Sequence, residues 1–304
     1  MNFAGPYDLG IYGAVNNWFI RRRGFATAVV NLAQMAGLVA MPIIAQIAII
    51  YSNWRGGWLA IGLTVLLVGF LPVWFFMIRR PEDVGLQPDG NFSGPHDPNI
   101  SKQEPQQATE PTFNRKQAIS TPAFWLLSIF TILVYPVQAG VSLHQAPHLI
   151  ECGIDPTVAA TVVSTFSCVS AIVGFSLGFW PSKFPLRIVL AATGVALGTS
   201  ALMMLDITSP IDAYVASAVF GLGIGGLLTT LPLAWANYFG RKNFGSIRGV
   251  ALTMQVLAQA SGPLISGVLR DLTGTYDLSL TFFSILAFCG ATAGIVARPP
   301  KIRT

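Results

Sequence analysis

The chain has 304 residues, 53% of them hydrophobic and 10% charged, with a net charge of +5 and a mean hydropathy of +0.60. Soluble domains devote about a quarter of their residues to charges, so this composition excludes an ordinary soluble enzyme or binding module and points to a lipid environment. A basic excess calls for a nucleic-acid partner only when it forms one face of a soluble domain; here membrane topology accounts for it, and no nucleic acid is expected.

In chain order, nine apolar runs can each cross a hydrocarbon layer of about 30 Å: residues 3–19, 25–50, 57–78, 122–142, 157–180, 186–205, 211–236, 249–269 and 279–297. Backbone groups in lipid must be satisfied within the segment, and the runs lack the alternation of a membrane barrel, so helices are predicted. The fold class is all-α, a polytopic transmembrane helical bundle. Met1 to Gly10 has no basic cluster and contains Asp8, so no cleavable leader is expected.

The first run sets Tyr7, Asp8, Tyr12 and Asn16 at helical spacing on one face, and the second carries Asn31 and Gln34. Runs 57–78, 186–205 and 279–297 offer only Ser and Thr away from their ends, as expected of outer scaffold. Residues 79–121 are polar and read as a flexible linker between a first bundle, 1–78, and a second, 122–304. The fourth run offers Tyr135, Gln138 and Ser142, and the eighth offers Gln255 and Gln259, four apart.

Several patterns have bland explanations. His144 and His148 stand at i, i+4, but no further ligand completes a metal site. Gly221-x-Gly223-x-x-Gly226 matches a dinucleotide pattern but lies in an apolar helix with no preceding strand. Small-residue packing is expected there, as at Gly174/Gly178, Gly194/Gly198 and Gly290/Gly294. Cys152, Cys168 and Cys289 have no ligand spacing and read as packing residues. Prolines 42, 72, 136, 232 and 263 mark possible kinks. No Walker A pattern and no catalytic cluster is present, so neither ATP drive nor an enzyme is expected, and no cofactor.

Sixteen of the eighteen Lys and Arg residues fall in one set of alternating loops or the C-terminus; the other set holds only Arg55 and Arg270. The positive-inside rule then predicts the N-terminus outside and the C-terminus in the cytoplasm of a cell-membrane protein. All seven tryptophans, 18, 54, 58, 74, 125, 180 and 235, lie near run ends, where an interfacial ring is expected. Asn91-Phe92-Ser93 and Asn99-Ile100-Ser101 match the glycosylation pattern, but a cytoplasmic linker does not meet that machinery.

The chain repeats itself. Residues 23–37 and 248–262 are identical at seven of fifteen aligned positions, with Arg23, Gly24, Ala26, Leu32, Ala33, Gln34 and Gly37 matching Arg248, Gly249, Ala251, Leu257, Ala258, Gln259 and Gly262. Both copies open at a basic loop and run the same way, six helices apart, as parallel repeats do. A doubled six-helix unit implies twelve helices, three of them before Met1.

The chain also carries Trp18-Phe19-x-x-Arg22-Arg23-Gly24 with Gly37 and Pro42, Trp54-Arg55, and Arg79-Arg80-Pro81-Glu82-Asp83-x-Gly85-Leu86-x-Pro88-Asp89-Gly90. Then follow His144-x-x-Pro147-His148-Leu149, Gly153, Ala159-Ala160, Tyr238-Phe239-Gly240-Arg241-x-x-Phe244-Gly245-x-Ile247-Arg248-Gly249, Gly262-Pro263, Asp271, Gly274 and Tyr276. In this order they resemble the major facilitator superfamily, in its monocarboxylate and oxalate/formate transporter-like branch. The resemblance implies that the chain starts within the family's fourth helix and ends after its twelfth. Pro181 and Ser182 stand where the family usually has an acidic gating residue, and residues 157–180 and 249–269 lack the Lys or Arg typical of carboxylate carriers.

A secondary transporter of a small solute is therefore expected, cycling by alternating access and using a proton or counter-substrate. The branch implies a small organic anion such as a monocarboxylate. Cavity candidates are Tyr7, Asp8, Tyr12, Asn16, Asn31, Gln34, Tyr135, Gln138, Gln255 and Gln259. Asp8 reads either as a coupling carboxylate or as a hydrated end group, and Gln34 and Gln259 either as ligand contacts or as interhelical hydrogen bonds. Arg22, Arg23, Arg241 and Arg248 are candidates for an inner gate that meets helix C-termini or carboxylates, or serve orientation alone. The rivals are a truncated, transport-incompetent product and a membrane sensor descended from a transporter.

Overall fold

The computed structural model describes residues 10–19, 22–78, 80–88, 112–178 and 185–300. Tyr7, Asp8, most of the linker and the segment with Pro181, Ser182 and Lys183 lie outside these residues. The regular elements described are helices: α1 (Tyr12–Trp18), α2 (Arg23–Tyr51), α3 (Trp54–Thr64), α4 (Leu71–Phe76), α5 (Arg115–Ile119), α6 (Pro122–Glu151), α7 (Pro156–Gly178), α8 (Leu186–Met203), α9 (Pro210–Phe239), α10 (Phe244–Thr273) and α11 (Asp277–Val296). Among the described residues, seven spans are long and apolar enough to cross a bilayer, α3 and α4 together making one, Trp54–Phe76. The protein is a multi-pass membrane protein.

Local chemistry sets the helix starts. Thr121 caps α6, its hydroxyl accepting from the Phe124 N–H, with Pro122 in the first turn, where a missing N–H costs nothing. Ser209 and Asp212 form a reciprocal capping box on α9. Asp155 accepts from the Thr157 N–H at 2.8 Å ahead of α7, which holds its carboxyl below the usual range. Between α3 and α4, residues Val65–Phe70 widen into a π-helix just before Pro72. The proline ring cannot approach the carbonyl four residues back, at Val68, and a wider turn relieves that clash.

Two helices run well beyond their predicted spans. At 30 residues each, α6 and α10 are about 45 Å long and exceed the hydrocarbon core, so their polar ends continue as helix past the stretch that hydropathy detects. Arg248 consequently lies inside α10, not in the loop where the sequence places it.

In the second half of the chain α9 lies against α7 on one side and α8 on the other; α6 pairs with α10 and α11, and α8 with α11. Glycines set these distances. A Cβ at Gly225 would stand 2.5 Å from the Ser170 carbonyl on α7, and one at Gly226 2.2 Å from the Thr193 methyl on α8. Apart from α1, the described part of the first half is α2 packed on α3, α7 and α9, with the span Trp54–Phe76 almost wholly exposed.

Two expectations fail here. Trp235 is not an interfacial ring but is 1% exposed, edge-on to Phe124 and stacked on Phe239. The three cysteines do not pack inside: Cys152, Cys168 and Cys289 are all exposed. A thiol is apolar enough to face lipid.

Candidate functional site

A polar chain joins four helices where the halves meet. The Tyr12 hydroxyl on α1 donates to Asn31 Oδ1 on α2 at 2.8 Å, and Asn31 Nδ2 donates to Thr229 Oγ1 on α9 at 2.7 Å. Thr229 reaches on toward the Gly174 carbonyl of α7 at 3.5 Å. Tyr12, Asn31 and Thr229 are all buried. Gly174 makes room for this arrangement, because a Cβ there would lie 3.0 Å from Thr229 Oγ1. One turn beyond Tyr12, the buried Asn16 keeps an Nδ2 with no acceptor, an expensive state inside a protein and a ready donor to a bound solute.

The other cavity candidates divide. Gln259 Nε2 on α10 donates to Gln138 Oε1 on α6 at 3.2 Å, so these two form an interhelical hydrogen bond. Gln255 is buried and accepts from Arg248 Nη2. Tyr135 is buried and Gln34 half-buried on α2.

At the end where α2 starts and α9 stops, hereafter the arginine end, side chains cross between halves in both directions. Arg23, buried at the first position of α2, donates from Nε to the Phe19 carbonyl at 3.2 Å and from Nη1 to Asn237 Oδ1 on α9 at 3.1 Å. Arg241, just past α9, donates from Nη1 to the Asn17 carbonyl in the last turn of α1 at 3.1 Å and pairs with Glu82 at 3.3 Å. Both arginines thus meet carbonyls near the C-terminal end of α1, where the helix dipole favours a cation. Arg22 is exposed. Arg248 is buried over the Trp235 ring, its guanidinium carbon 5.5 Å from the ring centre, and its described contacts stay in the second half.

Small residues close this end. A Cβ at Gly178 would be 2.4 Å from Ala28 Cβ and 3.2 Å from the Gly24 carbonyl, and the Phe25 and Phe175 rings lie 6.4 Å apart.

Sequence reasoning missed Thr229, Asn237, Asn17 and Glu82. Asn237 and Glu82 had a usable signal, as polar residues near span ends beside basic motifs; a threonine within an apolar helix has none. At the opposite end, His144 holds Tyr276 at 3.2 Å and the Pro263 carbonyl at 3.2 Å, while His148 meets the Met204 carbonyl at 2.7 Å. No group of three metal-ligating side chains gathers among the described residues.

Comparison with known proteins places this architecture. The chain is 25% identical over 292 residues to the membrane sensor protein UhpC of Salmonella typhimurium, covering 93% of this chain and 64% of that protein. It is 24% identical over 298 residues to monocarboxylate transporter 12 of Rattus norvegicus, covering 91% of this chain and 60% of that protein. A probable hexose phosphate transport protein of Chlamydia muridarum matches 55% of this chain at 24% identity. The chain thus spans under two thirds of the length of these relatives. The family profile described as Major Facilitator Superfamily matches residues 3–263, most of the sequence, and the chain belongs to that superfamily.

Proposed function

We propose that the chain works as a secondary transporter of a small solute, its two halves rocking about the polar seam formed by Tyr12, Asn31 and Thr229. The halves are residues 1–78 and 122–304, joined by the linker 79–121. The observation that carries this reading is the reciprocal crossing at the arginine end, where Arg23 reaches Asn237 and Arg241 reaches Asn17. Contacts made in one alternating-access state and released in the other have this form. Among the described residues, the inferred solute path runs along Tyr12, Asn16, Asn31, Gln34, Tyr135, Gln138, Gln255 and Gln259. The arginine end faces the cytoplasm, following the distribution of basic loops. The names of the relatives suggest two solute classes, monocarboxylates and hexose phosphates; the inferred coupling partner is a proton or a counter-substrate.

Counterflow in proteoliposomes, with labelled lactate, formate and glucose 6-phosphate as probes, tests this directly. Accumulation of one of them against an unlabelled internal pool is the expected result. Probe-dependent quenching of tryptophan fluorescence without flux would favour a sensor, and neither response would favour a transport-incompetent chain. In a background with the native cysteines replaced by serine, single cysteines at 12, 34, 138 and 259 are expected to react with aqueous reagents faster than cysteines in residues 186–205. Equal rates would remove the cavity assignment.

The seam yields a further expectation. Asn31→Leu removes both hydrogen bonds of the central amide; interhelical bonds in membranes are worth about 0.6 to 1.7 kcal/mol each, so thermal stability in detergent falls by only a few degrees. Counterflow is expected to fall at least tenfold. Unchanged flux would show that the seam is structural only.

A further inference from the structure

An open groove of about 720 Å³, lined by none of the seam residues, lies where α6 begins, α8 begins and α11 ends. Because three span ends meet there, the groove sits at the level of a membrane interface. Its walls combine two chemistries: Arg187 and Arg298 supply two guanidinium groups, and Leu126, Ile188, Ile295 and Val296 supply an apolar flank. Neither guanidinium has an acidic partner among the described residues. Arg187 sits in the first turn of α8, whose N-cap, Pro185, offers no capping side chain. A cation at that position adds to the positive end of the helix dipole instead of offsetting it, so the mouth of the groove carries uncompensated positive potential. The Tyr238 hydroxyl donates to the Ala297 carbonyl at 2.7 Å, which fixes the end of α11 directly before Arg298.

We propose that this groove holds an anionic glycerophospholipid, its headgroup phosphate between Arg187 and Arg298 and an acyl chain along Ile188, Ile295 and Leu126. Charge complementarity selects the headgroup, since basic pockets between span ends attract anionic lipids and the guanidinium fork matches phosphate. The apolar flank separates a lipid from a soluble anion, because an inorganic phosphate would leave that surface uncovered. The site is independent of the transport reading and requires only that the chain span a membrane.

The test uses the purified full chain in nanodiscs of phosphatidylcholine doped with phosphatidylglycerol, followed by native mass spectrometry of the lipids retained. Phosphatidylglycerol adducts are expected to outnumber phosphatidylcholine adducts, relative to the mixture, by roughly tenfold, and R187Q/R298Q is expected to abolish that preference. R187K/R298K, which keeps the charge and loses the fork, is expected to retain part of it. Gel filtration in detergent confirms that the variants stay folded, as exposed and half-buried side chains allow. Three results would overturn the proposal: no preference in the wild type, an undiminished preference in the glutamine pair, or displacement of the lipid by soluble glycerol phosphate, which would reveal a site for the anion alone.

Discussion

Replacing Arg23 and Arg241 together by alanine is expected to open the arginine end of the bundle without unfolding it. Hydrogen bonds to charged groups contribute about 1.5–3 kcal/mol when buried, which applies to Arg23 on Asn237. The partly exposed Arg241–Glu82 pair is worth about 1 kcal/mol or less. Removing both arginines therefore costs the closed state about 3 kcal/mol, a shift of about a hundredfold in the closed-to-open ratio. The neighbouring Phe25 and Phe175, with ring centres 6.4 Å apart, provide the readout. In the serine-substituted background, F25C/F175C is expected to cross-link readily with a short bifunctional reagent, and adding R23A/R241A is expected to suppress the product several-fold. Undiminished cross-linking would mean that helix packing at Gly178 and Ala28 alone holds this end shut, and the gate role would fall.

A second large effect separates two positions that the repeat treats as equivalent. At Gly262 a Cβ would lie 2.2 Å from the Pro136 carbonyl, and the facing Gly140 would meet the Phe283 ring at 2.5 Å; α10 and α6 touch backbone to backbone there. Backbone cannot swing aside like a side-chain tip, so Gly262→Leu is expected to destabilise by about 3 kcal/mol and to lower the melting temperature in detergent by roughly 10 °C. At Gly37 nothing lies within 4 Å of the same added atom. Gly37→Leu should stay within about 0.5 kcal/mol of the wild type. Thermal unfolding of the two variants side by side decides the matter, and equal losses would contradict the packing described for α10 and α6.

That pair also marks how far the sequence can be read. Lipid demands long apolar segments, so the seven spans found among the described residues were legible from composition, and the basic loops and the repeat pointed to Arg23 and Arg241. Their partners were not legible. Asn237 and the Asn17 carbonyl become partners only when helices far apart in the chain converge, and Thr229 is one of many hydroxyls in apolar helices. Arg248 was assigned to a loop because hydropathy windows stop where polarity begins, whereas hydrogen bonding carries α10 on through it. Trp235 was assigned to the interface by its place in the chain, yet its neighbours Phe124 and Phe239 enclose it. Identical repeat residues met different neighbours, which no alignment of the chain with itself can reveal.

The two ends of the linker are both fastened to one turn. Glu82 pairs with Arg241, and a stretch later Phe113 packs on Phe239 with a ring separation of 5.7 Å while Asn243 Nδ2 donates to its carbonyl at 2.8 Å. Glu82 and Phe113 are thus both held at the Gly240–Asn243 corner, the first by Arg241 and the second by Asn243. Lengthening the chain between two fixed anchors costs only about 0.6 kcal/mol per doubling, so affinity tags, fluorescent reporters or cleavage sequences inserted between Glu82 and Phe113 are expected to leave both contacts in place.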